Sequence, residues 1–184
     1  MFTASSAKSR HIPVMLMESL ENLKIKKDGI YVDGTLGLGG HSECILKKIS
    51  SGLLIGIDRD KNSISLAKKQ LSTHKNIKVI NDSYKNLKDI LERLNIKAVD
   101  GILLDLGLSS FQLEDNNRGF SHKYESLLDM RFDFNSEDYT AEQIIQKNDL
   151  NGLAKIFKEF GEERHAYKIA KKIKNLKGEI NVMS

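Results

Sequence analysis

The stretch Asp33-Gly34-Thr35-Leu36-Gly37-Leu38-Gly39-Gly40-His41 decides the fold of this chain. Ile30 to Asp33 has strand composition, and Ser42 to Ile49 has the pattern of a helix. A second apolar run, Leu53-Leu54-Ile55-Gly56-Ile57, ends in Asp58. A glycine turn from strand to helix, followed by an acid at the tip of the next strand, is how an α/β domain holds an adenosyl ligand. The glycines let the backbone approach the ligand without Cβ clashes, and the acid accepts hydrogen bonds from ribose hydroxyls.

The chemistry of the turn narrows the ligand. Gly37, Gly39 and Gly40 give G-x-G-G, not the dinucleotide spacing G-x-G-x-x-G. An ionised Asp33 at the mouth of the turn would meet a pyrophosphate as a like charge in a partly desolvated cleft. S-adenosylmethionine (SAM) has no phosphate and carries a sulfonium and an ammonium, so an acidic mouth suits it. A glycine cluster alone is equally a plain strand-to-helix turn. The three strand-end acids Asp33, Asp58 and Asp105 favour the ligand.

Outward from the turn, strands and helices alternate. Leu16, Leu20 and Leu23 have helical spacing ahead of the first strand. Ser63 opens a helix with Ile64, Ala67 and Leu71 on one face, Ile77 to Ile80 is a third strand, and Leu87, Ile90, Leu91 and Leu94 stripe another helix. Val99 to Asp105 is the fourth strand. Such alternation predicts an α/β doubly wound parallel sheet, Rossmann-like, with right-handed crossovers. After Asp105 the chain turns polar and aperiodic until Thr140, which forms a capping box with Gln143. Leu150, Leu153, Ala154, Phe157 and Phe160 then stripe a helix closed by Gly161, and Ala166, Ile169, Ala170 and Ile173 stripe another. The expected organisation is a disordered tail over 1–10, a SAM-binding part over 11–108 and a small helical insert for substrate recognition over 109–184.

Composition sets the outer limits. The 184 residues are 40% hydrophobic and 29% charged, enough for a real core in one domain with an insert. A single cysteine, Cys44, gives no disulfide framework or cysteine-based metal site, and no His/Asp/Glu spacing suggests another metal. Ile12 to Met17 is too short, and too interrupted by Pro13, for a signal sequence, and no run approaches membrane-spanning length. A soluble cytoplasmic protein without a membrane partner is expected. The net charge of +4 and a pI near 9.0 favour a polyanionic partner, although lysines on solvated helix faces give the same numbers.

Several longer motifs stand in order along the chain. They are His11-Ile12-Pro13-Val14, the Asp33 to Ser42 loop, Ile57-Asp58-Arg59-Asp60 and Leu103-Leu104-Asp105-Leu106-Gly107. Further on come Ser109-Ser110 with Gln112-Leu113, Arg118-Gly119-Phe120-Ser121, Leu128-Asp129-Met130-Arg131 and Gly161-Glu162-Glu163-Arg164. With these motifs the chain resembles the bacterial small-subunit (16S) ribosomal RNA cytosine-N4 methyltransferase family, MraW or RsmH, from about His11 to about Ile173. The resemblance implies SAM-dependent methylation of the exocyclic amine of a cytidine in small-subunit rRNA. It places SAM contacts on Gly39, Gly40, His41, Asp58, Tyr84, Asp105 and Gln112, alongside Asp33 and Gly37 of the turn. Family members run longer, into further strands of the sheet, whereas this sequence stops at Ser184 and Lys177 to Ser184 departs from the pattern. The expectation is an incomplete sheet in the order 3-2-1-4 with an open fourth-strand edge. The shortened product is expected to be marginally stable and inactive as it stands, a truncated gene product or a fragment; the alternative to a methyltransferase is a non-catalytic remnant keeping a SAM pocket or an RNA-binding surface.

Single residues carry two readings each. Asp105, at the end of the fourth strand, suits SAM binding and also a proton acceptor for cytosine N4, binding being the favoured role. His41 fits a structural or backbone contact better than a proton shuttle. Tyr84 is an aromatic ligand contact or a helix-start core residue. Arg118, Lys123 and Arg131 are RNA-phosphate contacts or surface ion-pair partners. Ser109-Ser110 lacks a neighbouring general base, which excludes hydrolase chemistry, and the G-x-G-G spacing disfavours an NAD-dependent oxidoreductase. Oligomeric state is not legible.

Overall fold

The computed structural model describes residues 13–176 apart from 110, 111, 114, 116, 124, 125 and 135. The expected tail over 1–10, His11, Ile12, Ser110 and the segment 177–184 lie outside the described residues. The chain divides into two compact units, residues 1–107 and 108–184.

The first unit is built on four strands, β1 (Ile30–Asp33), β2 (Leu53–Asp58), β3 (Ile77–Asn81) and β4 (Gly101–Leu103). They pair in parallel in the order β3-β2-β1-β4 that the family resemblance implies. Helices α1 (Leu16–Asn22), α2 (Gly40–Leu46) and α3 (Lys61–Gln70) pack on one face, and α4 (Leu87–Arg93) on the other. Strand periodicity sorts the side chains between these faces. Tyr31, Leu54 and Val79 join Leu20, Ile45, Ile64 and Ala67 in one cluster, while Val32, Ile55, Ile57 and Ile80 meet Ile90 in the other. The sheet is thus doubly wound.

Element ends differ from the sequence reading for local reasons. The strand expected over Val99–Asp105 shrinks to Gly101–Leu103 because side chains take over its flanking hydrogen bonds. The Asp100 carboxylate accepts Ile30 N–H at 2.9 Å, and Thr35 Oγ1 accepts Asp105 N–H at 2.7 Å. Helix α2 starts at Gly40 and ends at Leu46, rather than running from Ser42 to Ile49. Helix α3 starts at Lys61 because Asp60, not Ser63, caps it by accepting Asn62 N–H at 2.9 Å. In the sheet β4 is an edge strand, and Ile102 and Leu104 are each 46% exposed.

The second unit carries α5 (Ala141–Lys147), α6 (Leu150–Gly161) and α7 (Ala166–Asn175). The predicted Thr140–Gln143 capping box is present, each side chain accepting the other residue's N–H. Leu153, Ala166 and Ala170 are buried as their spacing requires. Phe160 departs from the expected stripe and is 83% exposed. Gly161 is the last helical residue, not the cap; the left-handed turn falls on Glu162 at φ 50°, whose N–H reaches Phe157 O. No described helix is long and apolar enough to cross a membrane.

Candidate functional site

Parallel strands all finish at one sheet edge, so register alone gathers the strand-end acids. Asp33 lies opposite Gly56 and Leu103, and Asp58 lies opposite Asn81. Asp105 follows β4 at the same edge, two residues beyond Leu103. Asp33, Asp58, Asp105 and the glycine turn over residues 37–40 therefore come together, as predicted, outside the carboxyl ends of the strands, where open α/β sheets bind ligands.

Asp33 corrects one part of the sequence reading. It is 1% exposed, not an open carboxylate at the mouth of the turn. Its Oδ2 accepts the Ser42 hydroxyl at 2.7 Å and its Oδ1 accepts Thr35 N–H at 3.2 Å. Burial pushes its carboxyl above the usual range, against the opposing pull of those two bonds. Asp33 is thus a brace tying β1, the turn and α2 together.

The turn itself is held from the second strand. Leu36 N–H donates to Ile57 O at 2.9 Å and Gly37 N–H to Asp58 Oδ2 at 2.7 Å. Gly37 and Gly39 sit at φ 51° and 90°, the left-handed region where other residues are strained. Asp58 Oδ1 accepts Asp60 N–H at 2.9 Å, and burial raises this carboxyl also. The Arg59 N–H bonds this carboxylate too, so three backbone donors hold it and acceptor capacity is left for one ligand hydroxyl.

Asp105 is the exposed acid, its side chain 52% accessible and Oδ2 4.0 Å from His41 Nδ1. The His41 ring is buried, and its Nε2 lies 3.1 Å from Val14 O. A carbonyl only accepts, so Nε2 carries the proton and Nδ1 faces Asp105. Tyr84 follows β3 in a single 3-10 turn and is 38% exposed. A Cβ on Gly34 would stand 3.1 Å from Tyr84 Cβ and 2.5 Å from Leu104 Cδ2, so Tyr84 and Leu104 flank the end of β1. A shallow pocket of about 150 Å³ lies among Val14, Met15, Ser19, His41, Leu103, Leu104 and Asp105.

In the second unit, Gln112 Oε1 accepts Ser109 N–H at 3.0 Å, so this predicted contact is engaged within its own loop. Arg118 is 1% exposed, donates to Asp115 Oδ2 at 3.0 Å and Phe132 O at 3.1 Å, and covers the Phe134 ring at 5.0 Å. Arg131 grips both oxygens of Asp129 at 2.9 and 2.7 Å. These two arginines are internal braces rather than open phosphate contacts. Sequence reasoning missed Thr35, Ser42 and the Val14 carbonyl, which position Asp105, Asp33 and His41. The two hydroxyls flank the glycines and were legible as potential donors; a backbone carbonyl leaves no signal.

This arrangement of turn and acids has relatives of known family. The MraW methylase family matches over residues 8–183, nearly the whole chain. The chain belongs to that family. The matched span runs past Ile173, where the resemblance was expected to end. Three proteins named ribosomal RNA small subunit methyltransferase H show the degree of likeness. The one from Halothermothrix orenii is 52% identical over 161 residues, 87% of this chain and 51% of that protein. The one from Caldicellulosiruptor bescii is 49% identical, covering 89% and 53%, and the one from Clostridium botulinum (strain Loch Maree / Type A3) 45% identical, covering 88% and 52%. This MraW-family chain spans about half the length of the curated relatives it matches.

Proposed function

We propose that this chain supplies the cofactor-holding part of a cytoplasmic SAM-dependent methyltransferase acting on the exocyclic N4 of a cytidine in small-subunit ribosomal RNA. The observation that carries the reading is the sheet edge where Asp58, the Gly37–Gly40 turn and exposed Asp105 converge. Membership of a methylase family and the printed names of the relatives support it.

The residues fit the cofactor. The Asp58 carboxylate retains acceptor capacity for a ribose hydroxyl, and the backbone at Gly37, Gly39 and Gly40 admits close approach. His41 N–H, in the first turn of α2, suits the methionine carboxylate, Tyr84 an adenine face, and Asp105 the ammonium. Asp33 acts through the turn it braces, and Gln112 belongs to the part over 109–184 that presents the substrate. Bound SAM supplies an electrophilic methyl group.

The protein's share is alignment and proton handling. The N4 lone pair is delocalised into the cytosine ring, so it is a weak nucleophile until an acceptor draws on an N4 proton. Positioning contributes about 7–11 kcal/mol, and a placed acceptor roughly 10²- to 10⁴-fold. Asp105 is the exposed carboxylate for such contact. Its binding role is the stronger, because its backbone is fixed through Thr35 while its side chain stays open.

The second reading is a non-catalytic remnant with a SAM pocket or RNA-binding surface. Calorimetry with SAM and with NAD tests the pocket; NAD binding without SAM binding would overturn both readings. Methyl incorporation into small ribosomal subunits by the 184-residue chain separates them, and its absence with SAM binding intact selects the remnant.

A further inference from the structure

The positive charge of this chain is concentrated in one place. Residues 164–176 hold Arg164, Lys168, Lys171, Lys172 and Lys174 and not one acid. The remainder carries 24 basic and 25 acidic residues, so the whole net charge of +4 comes from this segment. It forms α7 and its entry, and the helix orders these charges. Ala166 and Ala170 are buried and Ile173 half-buried, packed with α6 inside the second unit. Lys174 turns inward and donates to Ile145 O of α5. Lys168, Lys171 and Lys172, spaced i, i+3 and i+4, are exposed on the opposite face beside Tyr167, which is 54% exposed. None of the three forms an ion pair among the described residues.

Helix stability does not account for this pattern. Cations stabilise the last turn of a helix and oppose its first. Lys172 and Lys174 follow that rule, but Lys168 is the third residue of α7, preceded by Arg164 and His165. An unpaired row of lysines beginning at the positive end of a helix needs another partner.

We infer that the outer face of α7, through Lys168, Lys171 and Lys172, binds the phosphate backbone of RNA. This inference rests on the rRNA reading above and locates where the second unit meets that substrate. Three ammonium groups on adjacent turns follow a phosphate chain, and Tyr167 offers a flat face on which an unpaired base stacks. An anionic membrane is the other polyanion a basic helix meets, but that mode inserts bulky apolar side chains. Here Ala166 and Ala170 are buried and Ile173 is half-buried, which leaves Ile169, 38% exposed, as the one bulky side chain of that stripe open to solvent.

The test measures a labelled stem-loop RNA binding to the 184-residue chain across about 50–200 mM salt. The K168Q/K171Q/K172Q variant is compared with K61Q/K68Q/K69Q, which removes equal charge from exposed positions on α3. Three lost phosphate contacts reduce the slope of log affinity against log salt by about 2–3 and weaken binding roughly 100-fold at 0.1 M salt. The α3 variant should change the slope by less than one, and both should keep wild-type thermal midpoints and SAM affinity. Equal slopes for wild type and the α7 variant, equal losses in the two variants, or no RNA binding by wild type would overturn the inference. So would binding to phosphatidylserine vesicles that alone depends on the α7 lysines. Loss of SAM binding by wild type would instead strike the proposed function and leave the RNA comparison decisive for α7.

Discussion

Asp33 offers the sharpest test of how the turn is held. Alanine at this position orphans the buried Ser42 hydroxyl and Thr35 N–H, which now donate to its carboxylate at 2.7 and 3.2 Å. Each unpaired buried polar group costs about 1–3 kcal/mol, and relief of the carboxylate's own burial offsets part of this. The expected net loss for Asp33→Ala is about 2–4 kcal/mol. Asparagine keeps an oxygen for Thr35 and an amide for Ser42 without the charge, so Asp33→Asn should lie within about 1 kcal/mol of wild type at neutral pH. The pH dependence has a definite sign. The folded carboxyl is raised above its unfolded value of about 3.9, so the native state binds the proton more tightly. The associated stability is fully present below that unfolded value and is lost as pH rises through the raised folded value. Asp33→Asn lacks this loss, so its stability relative to wild type should climb across the same window. Urea unfolding followed by circular dichroism at pH values from about 4 to 8 measures all three proteins. Asparagine proving as damaging as alanine, or its relative stability declining as pH rises, would refute the brace.

Gly39→Ala places a side chain at φ 90° with its Cβ 2.9 Å from Leu71 Cδ1, so it should cost about 2–4 kcal/mol and weaken SAM binding, read by thermal melting and calorimetry. Arg118→Ala leaves Asp115 without its buried partner and should destabilise the second unit by about 3–5 kcal/mol; Arg118→Lys should not restore it, since lysine cannot reach Asp115 and Phe132 O together. Limited proteolysis of the second unit checks both variants. Thr140→Ala breaks the capping box and should cost about 0.5–2 kcal/mol, seen as earlier amide exchange over residues 141–144.

Local patterns were readable wherever one short-range rule governs. Period two placed Tyr31 and Val32 on opposite faces of β1, and helical spacing put Ile64 and Ala67 inward on α3. The capping box at Thr140 and Gln143 is a contact between residues three apart, so sequence alone sufficed. The ends of β4 were not readable in this way. They depend on Asp100 reaching Ile30, and Thr35 reaching Asp105, across 70 positions of chain. Phe160 followed the stripe in spacing yet lies exposed, because periodicity states which face a residue shares and not how far a partner extends.

The sequence by itself determined the alternation of strand and helix, the glycine turn and the acids at the ends of the first, second and fourth strands, because these follow from side-chain period, backbone freedom and residue identity. Only the tertiary structure decided what each acid does. Burial and two donors made Asp33 a brace, backbone N–H groups oriented Asp58 beneath the turn, and Asp105 alone kept an open carboxylate beside His41. Identical carboxyl groups differ in role because solvent access and hydrogen-bond partners, which set their free energy, exist only once distant segments have come together.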